Sequence, residues 1–292
     1  MSAILVTGGT GTLGRALVPS LAAAGHQVTV LSRRAQPAAA APADAGPAGA
    51  GPAAATPAAA APVSWATGDL RSGAGIPAAV AGAEVIVHCA TSMSGEAAAA
   101  RNLTDAARQA GGPHLVYISI VGVDRVPFGY YRSKLAAEQL IAGSGLPWTM
   151  VRATQFHNLI LAICAGAARL PVMPLPARFR FQPVEVTEVA ARLADLAGGE
   201  PAGRAPDLGG PEIHPLAVLA RSYLRASGRR RMLLAVPLPG AAAAAFRRGG
   251  NLAPEHATGR VTFEEFLARR LGGNSDPAPA GKQAGSTPEA QR

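Results

Sequence analysis

The chain opens on a short apolar run, Ile4 to Val6, whose β-branched and leucine content predicts a strand buried on both faces. Glycines at 8, 11 and 14 follow. Leu13, Leu17, Leu21 and Ala24 then recur at the spacing of a helix with one buried stripe. After Gly25-His26 the alternation resumes with a strand at Gln27 to Leu31, a short strand at Val63 to Ala66 and a short helix at Ile76 to Ala81. Glu84 to Ala90 reads as a buried strand, and Glu96 to Ala110 as a helix stopped by Gly111-Gly112-Pro113. His114 to Ser119 and Trp148 to Arg152 are two further strands, with a helix from Tyr130 through Leu140 between them. Regular alternation of strand and helix predicts an α/β fold, a Rossmann-type doubly wound parallel sheet.

Past residue 155 the pattern is less regular. It predicts a helix at Leu159 to Arg169, a proline-rich segment from Leu170 to Arg180, and a helix at Thr187 to Leu196 with Thr187 as N-cap. Asp207 to Pro211 reads as a late short strand and turn, Leu216 to Ala226 as an amphipathic helix, and Met232 to Val236 as a strand. Gly240 to Arg248 and Thr262 to Leu267 read as helices, the latter with Thr262 and Glu265 in capping-box spacing. The expected organisation is one domain over 1–271, with about 155–180 and 211–271 forming a small substrate-covering part. Residues 35–62 are almost only Ala, Pro and Gly and read as a disordered insertion, and 272–292 as a disordered tail.

Composition changes this picture little. A chain of 292 residues is long enough to bury a sizeable core. The formal charge of +9 comes from arginine, lysine being confined to Lys134 and Lys282. The arginine pairs and the triplet Arg229-Arg230-Arg231 are scattered and lack interleaved aromatics, so they read as solvated faces and no nucleic-acid partner is expected. Cys89 and Cys164 sit in apolar surroundings, as core residues of a reduced compartment. No signal peptide fits, and the longest apolar run, Asn158 to Ala168, is too short to span a bilayer. The expectation is a cytoplasmic monomer or homodimer with a small-molecule substrate, no membrane partner and no metal.

The glycine spacing is G-x-x-G-x-x-G, and its placement between a strand and a helix is that of a nucleotide site. Gly8 and Gly11 let the backbone turn tightly and approach a pyrophosphate, and Gly14 lets the helix lie close to the sheet. Thr10, Thr12 and Leu13 complete the loop and the helix start, whose N–H groups and dipole favour phosphate. At the end of the second strand Ser32, Arg33 and Arg34 replace the acid that would bind a ribose 2′-hydroxyl. A hydroxyl and two guanidinium groups suit a 2′-phosphate, which points to NADP(H), with NAD(H) possible. Asp69, followed by Leu70, is placed either to accept from the adenine amino group or to cap a turn. Ala90, Thr91 and Ser92 leave the carboxyl end of the fourth strand and should border the cofactor. His88, still inside that strand, reads as a core histidine, and Asn102 as a structural hydrogen-bonding residue.

Ser119 closes the fifth strand, and Tyr130 and Lys134 stand at i and i+4 on one face of the next helix. A tyrosine of pKa ~10 becomes a useful acid–base catalyst when an ammonium stabilises its phenolate, each tenfold gain in acidity being worth about 1.4 kcal/mol. Ser119 would hold the substrate oxygen, Tyr130 would pass the proton, and Lys134 would lower the tyrosine's pKa and bond the nicotinamide ribose. Tyr131, at i+3 to the lysine, ranks second for the tyrosine role. Gln155, Phe156, His157 and Asn158 leave the next strand's carboxyl end as candidates for a substrate pocket, His157 as a wall residue or a proton donor.

Thr7-Gly8-Gly9-Thr10-Gly11-Thr12-Leu13-Gly14 with Tyr130-x-x-x-Lys134 resembles the short-chain dehydrogenase/reductase superfamily, closest to its atypical and extended branch with the NmrA-like proteins. Ile118 to Asp124 and Val151 to Asn158 resemble that branch's fifth and sixth strand segments, so the likeness spans about 3–271. It implies a Rossmann fold, NAD(P)(H) binding and, in active members, a Ser-Tyr-Lys centre mapping to Ser119, Tyr130 and Lys134. One departure is that Glu96 and an alanine run stand where extended members often carry an Asn. The reading that follows is an oxidoreductase moving hydride between NADP(H) and a small carbonyl or quinone-like substrate. The alternatives are a non-catalytic NADP(H)-binding redox sensor and a sugar epimerase or dehydratase.

Overall fold

The computed structural model describes residues 1–34, 62–91 and 95–272. Most of the Ala/Pro-rich stretch, the C-terminal stretch after 272, and Ser92 lie outside them. Chain order runs β1 (Ala3–Thr7), α1 (Thr12–Ala23), β2 (Gln27–Ser32), β3 (Ser64–Thr67), α2 (Ile76–Val80), β4 (Val85–His88), α3 (Glu96–Gln109), β5 (His114–Ile120), α4 (Gly129–Ala142) and β6 (Trp148–Ala153). There follow α5 (His157–Ala167), β7 (Val172–Pro176), β8 (Arg180–Phe181), α6 (Val186–Gly198), β9 (Gly203–Arg204), β10 (His214–Pro215), α7 (Leu216–Ala226), β11 (Met232–Val236), α8 (Ala241–Arg247) and α9 (Phe263–Leu271).

The main sheet has seven strands in the order β3-β2-β1-β4-β5-β6-β9, all parallel. Strand alternation divides its side chains between two layers. Ile4, Val6, Val28 and Val30 pack with Leu13, Leu17 and Leu21 of α1 and with Val189 and Leu193 of α6. Leu5, Leu31, Ile86 and Leu115 face Ile76 and Val80 of α2, Leu103 of α3 and Ile141 of α4. The chain winds outward from β1 through β2 to β3, then returns to start the other half at β4, beside β1. That reversal leaves a crevice at the carboxyl ends of β1 and β4, the place where doubly wound sheets bind ligands.

The irregular part of the sequence builds a second cluster, in which Ile160, Cys164, Met173, Leu175, Phe181, Leu219, Tyr223 and Phe263 pack together. Two small sheets frame it: β7 parallel to β11, and β8 antiparallel to β10. The proline-rich segment therefore contains two strands, because Pro174 and Pro176 stand in a two-stranded sheet where a missing N–H is tolerated. Most boundaries shift from the sequence reading by a residue or two, and two changes alter a residue's role. Helix α6 starts at Val186 with Glu185 as N-cap and no side-chain capping bond, so Thr187 is inside the first turn rather than capping it. The late strand is Gly203–Arg204, paired with Thr149 and Met150, while Leu208 makes only an isolated bridge to Ala153. The capping box of α9 is complete: Thr262 Oγ1 accepts from the Glu265 N–H at 3.2 Å, and the Thr262 N–H donates to Glu265 Oε2 at 2.8 Å. Cys89 and Cys164 are both buried free thiols.

Candidate active site

The glycine turn is shaped by backbone contact. Gly8 has φ +73°, and a Cβ there would stand 2.5 Å from the Ala90 nitrogen, so the β1–α1 turn is seated against the end of β4. A Cβ on Gly14 would stand 2.3 Å from the Gly8 carbonyl oxygen. Gly14 thus brings the helix against the turn itself, where the sequence reading placed it against the sheet. Gly11 is exposed, and its Cβ would meet only the Gly8 oxygen, at 3.2 Å. Helix α1 begins with no side-chain cap and no acid in its first turn. Its leading N–H groups and positive dipole end therefore suit an external anion. Thr10, Gly11 and Thr12 are exposed around this point, and Leu13 is buried beneath them. The cradle fits a dinucleotide's pyrophosphate.

Arg33 and Arg34 are exposed at the carboxyl end of β2, next to β1, and Ser32 Oγ accepts from the Arg34 N–H at 3.2 Å. Asp69 is a turn residue: its Oδ1 accepts from the Arg71 N–H at 2.9 Å, and its own N–H donates to the Ala74 carbonyl at 2.9 Å. Leu70 packs on the α2–α4 layer, and its carbonyl accepts from Asn102 Nδ2 at 2.8 Å, the structural bond expected of that asparagine. His88 is fully buried, bonded through Nδ1 to Thr7 Oγ1 at 2.6 Å and stacked on Tyr117. Burial, with the Lys134 charge nearby, lowers its pKa to about 4, so it is a neutral core residue.

The candidate catalytic residues follow the carboxyl ends of β4 and β5. Thr91 Oγ1 lies 2.7 Å from Tyr130 Oη. The Ser119 hydroxyl is buried and has no hydrogen-bond partner among the described residues. Lys134 is buried too, and its Nζ donates to the Ile118 carbonyl at 3.3 Å, pairs with Glu96 Oε2 at 3.4 Å and lies 4.8 Å over the Tyr117 ring. Burial lowers the lysine's pKa, opposed by the Glu96 carboxylate. Tyr130 is held above its ordinary value: burial raises it, the Thr91 hydrogen bond lowers it, and Glu96 raises it again. The lysine's ammonium is thus engaged by Glu96 and Ile118, and the phenol's pKa is raised where the sequence reading had Lys134 lowering it, so the phenol is kept protonated. Tyr131 is buried edge-on to Phe246, and burial pushes its pKa up to about 12. Tyr130, half-buried and bonded to Thr91, is the better placed of the two.

The 155–158 segment is less of a pocket than its position suggests. Gln155 is buried, exchanging bonds of 3.3 and 3.4 Å with Asn251, and Phe156 packs against the α1–α6 layer. His157 is the first residue of α5 and fully buried, 3.1 Å from the Val261 carbonyl and stacked on Phe266 at 5.1 Å. Burial lowers its pKa, and the ring belongs to the C-terminal core rather than a pocket wall or proton donor. Asn158 is half-buried on the same turn. A cleft of about 480 Å³ opens instead where β5 and β6 end, between Asp124, Arg125, Arg152, Asp207, Leu252 and His256. Under it Arg152 donates to both carboxylate oxygens of Glu138, at 2.8 and 2.6 Å, and to Asp124 at 2.8 Å. Sequence reasoning missed this triad and missed Glu96 as the partner of Lys134. Among the described residues Glu212, His214 and Glu264 bring ligand-type atoms within 4.8 Å of one another. His214 is bonded to Glu212 at 2.9 Å and Glu264 to Ser222 at 2.6 Å, which accounts for them without an ion. No described helix is long and apolar enough to cross a membrane.

Comparison with known proteins agrees with this fold. Residues 8–160 match the family model described as NAD(P)H-binding. "Quinone oxidoreductase 2" of Escherichia coli (strain K12) is 25% identical over 237 residues, covering 78% of this chain and 75% of that protein. The crystal structure of an NADPH-dependent quinone oxidoreductase from Escherichia coli, complexed with NADPH, superposes with TM-score 0.71 at 20% identity, covering 91% of this chain and 99% of the other. A nucleoside-diphosphate-sugar epimerase from Staphylococcus aureus has TM-score 0.69 at 18% identity over 91% and 99% of the two chains. A Thermus thermophilus UDP-glucose 4-epimerase in complex with NAD has TM-score 0.62 at 22% identity over 89% and 100%. The chain belongs to the NAD(P)H-binding family, with the Rossmann architecture of NAD(P)-dependent oxidoreductases and epimerases.

Proposed function

We propose that the protein is an NADPH-dependent reductase of a small quinone or carbonyl compound. The observation that carries this is the Tyr130–Thr91 hydrogen bond, which holds the phenol hydroxyl at the carboxyl end of β4 with Lys134 one turn further along α4. A bound nicotinamide supplies the hydride. Tyr130, protonated because burial raises its pKa, donates the proton to the reduced oxygen, and Ser119 holds that oxygen. Lys134, fixed by Glu96 and the Ile118 carbonyl, keeps a positive charge under the site. The C-terminal cluster covers the substrate. The quinone oxidoreductase likeness makes quinones the first acceptors to try. The test is NADPH consumption against a panel of quinones, aldehydes and ketones. Acceptor-dependent consumption supports the reading, whereas tight binding with no consumption would return it to a redox sensor.

Cofactor choice gives a separate prediction. Arg33 and Arg34 together should hold the 2′-phosphate by charge-assisted bonds. Arg33→Ala/Arg34→Ala is expected to weaken NADPH binding roughly tenfold or more, about 1.4 kcal/mol per decade, and to leave NADH nearly unchanged. Fluorescence titration reads both, and equal losses for the two cofactors would remove the arginines from the site.

Glu96 is a positioning residue for Lys134. In Glu96→Gln the lysine keeps its burial but loses the carboxylate that sustains its charge, so it gives up its proton at lower pH. The alkaline limb of the kcat/KM profile is expected to move to lower pH. A uniformly reduced rate with an unmoved limb would make Glu96 merely structural.

A further inference from the structure

We infer that the outer face of the β7–β11 sheet docks on an anionic lipid surface. In the parallel register Met232 pairs with Val172, Leu234 with Pro174 and Val236 with Pro176, so these six side chains share one face. Met173 and Leu175 point the other way and are buried in the C-terminal core. On the outer face Met232 is 73% exposed, Leu234 53% and Val172 39%, and neighbouring Leu170 is 50% exposed. An apolar sheet face left in water marks an interaction surface.

Its surroundings say what kind. Residues 159–184 and 213–254, which carry this face, hold ten arginines and not one Asp or Glu. Those ten exceed the net +9 of the whole chain, so the remainder is close to neutral and the basic character is concentrated on this part. The Arg229-Arg230-Arg231 triplet and Arg247 lie at the two ends of β11. Arg229 and Arg230 are exposed just before β11, and Arg231 bonds the Ala168 carbonyl at 3.1 Å, on the approach to β7. At the other end Arg247 bonds the carbonyl of exposed Leu238 at 2.8 Å.

A second copy joined through the same patch would set arginine against arginine, which like-charge repulsion disfavours. An anionic bilayer satisfies both chemistries at once: the guanidinium groups meet lipid phosphates while Met232 and Leu234 enter the acyl boundary. Such docking is peripheral and needs no spanning helix.

The experiment is co-sedimentation of the full chain with vesicles of phosphatidylcholine, alone or containing phosphatidylglycerol, at low and high salt. Binding is expected only to the phosphatidylglycerol vesicles and is expected to weaken with salt. Met232→Glu/Leu234→Glu and, separately, Arg229→Glu/Arg230→Glu should each reduce it roughly tenfold or more. All four positions are exposed, and unchanged circular dichroism and NADPH titration check that the variants fold. No sedimentation with anionic vesicles overturns the inference. So does binding that the Met232/Leu234 variant leaves intact, which would be general adsorption of a basic protein. A wild-type dimer converted to monomer by that variant would assign the face to self-association and also overturn it.

Discussion

Tyr130→Phe is expected to lower kcat by a factor of roughly 10² to 10⁴, the usual contribution of a positioned general acid, with NADPH binding essentially unchanged. The variant keeps the ring, and with it the edge-on contact to Tyr131 at 6.4 Å, so little besides the hydroxyl is lost. Its hydrogen bond to Thr91 is partly exposed and worth about 1 kcal/mol, too little to unfold the protein. The sign of the pH dependence follows from the protonation state. Burial raises the phenol's pKa, so the donor form is present through neutrality. Activity attributable to it falls only as pH rises through that elevated value, on the alkaline side of an ordinary tyrosine. Tyr131→Phe is the control, since that ring is buried edge-on to Phe246 with its hydroxyl bonded to Gln155, and it should retain most of the rate. If Tyr130→Phe reduced acceptors as fast as wild type, the proton would have to come from elsewhere.

The second large effect is on stability. Arg152→Met should cost about 3–5 kcal/mol, because it leaves the Glu138 carboxylate buried without its bidentate partner. Against a total of about 5–15 kcal/mol for a typical domain, that loss should be plain in the urea midpoint. The paired variant Arg152→Met/Glu138→Leu should recover most of it, since replacing both charges removes the desolvation penalty along with the attraction. Asp124, at the open end of the triad, contributes less. Burial raises its pKa, but the Arg152 hydrogen bond and charge lower it more, leaving it below the ordinary carboxylate value. Its share of stability is therefore present above the unfolded carboxyl's pKa and is lost as pH falls through the folded one, in the acid range. A loss below about 1 kcal/mol for Arg152→Met would class the triad with exposed ion pairs.

Features written in consecutive residues were legible before the fold was known. The glycine turn, the i, i+4 placement of Tyr130 and Lys134, and the Thr262/Glu265 capping box all follow from local spacing. Long-range partners were not. Glu96 is 38 residues from Lys134 and meets it only because α3 and α4 cover the same sheet face. The Arg152 triad joins three separate segments in the same way. His157 follows a strand's carboxyl end, which suggests a pocket. Phe263 and Phe266, over a hundred residues later, turn it into core. In the Leu170 to Arg180 segment prolines hide two strands whose partners, β11 and β10, come much later in the chain.

The most direct test of the reductase account is a single turnover with a quinone acceptor and excess enzyme, using NADPH and NADPH deuterated at the transferring C4 position. The account predicts acceptor-dependent loss of NADPH absorbance, slowed by deuterium and slowed further in Tyr130→Phe. NADPH that binds tightly but is not consumed with any acceptor, or is consumed at a rate indifferent to Tyr130, would contradict it.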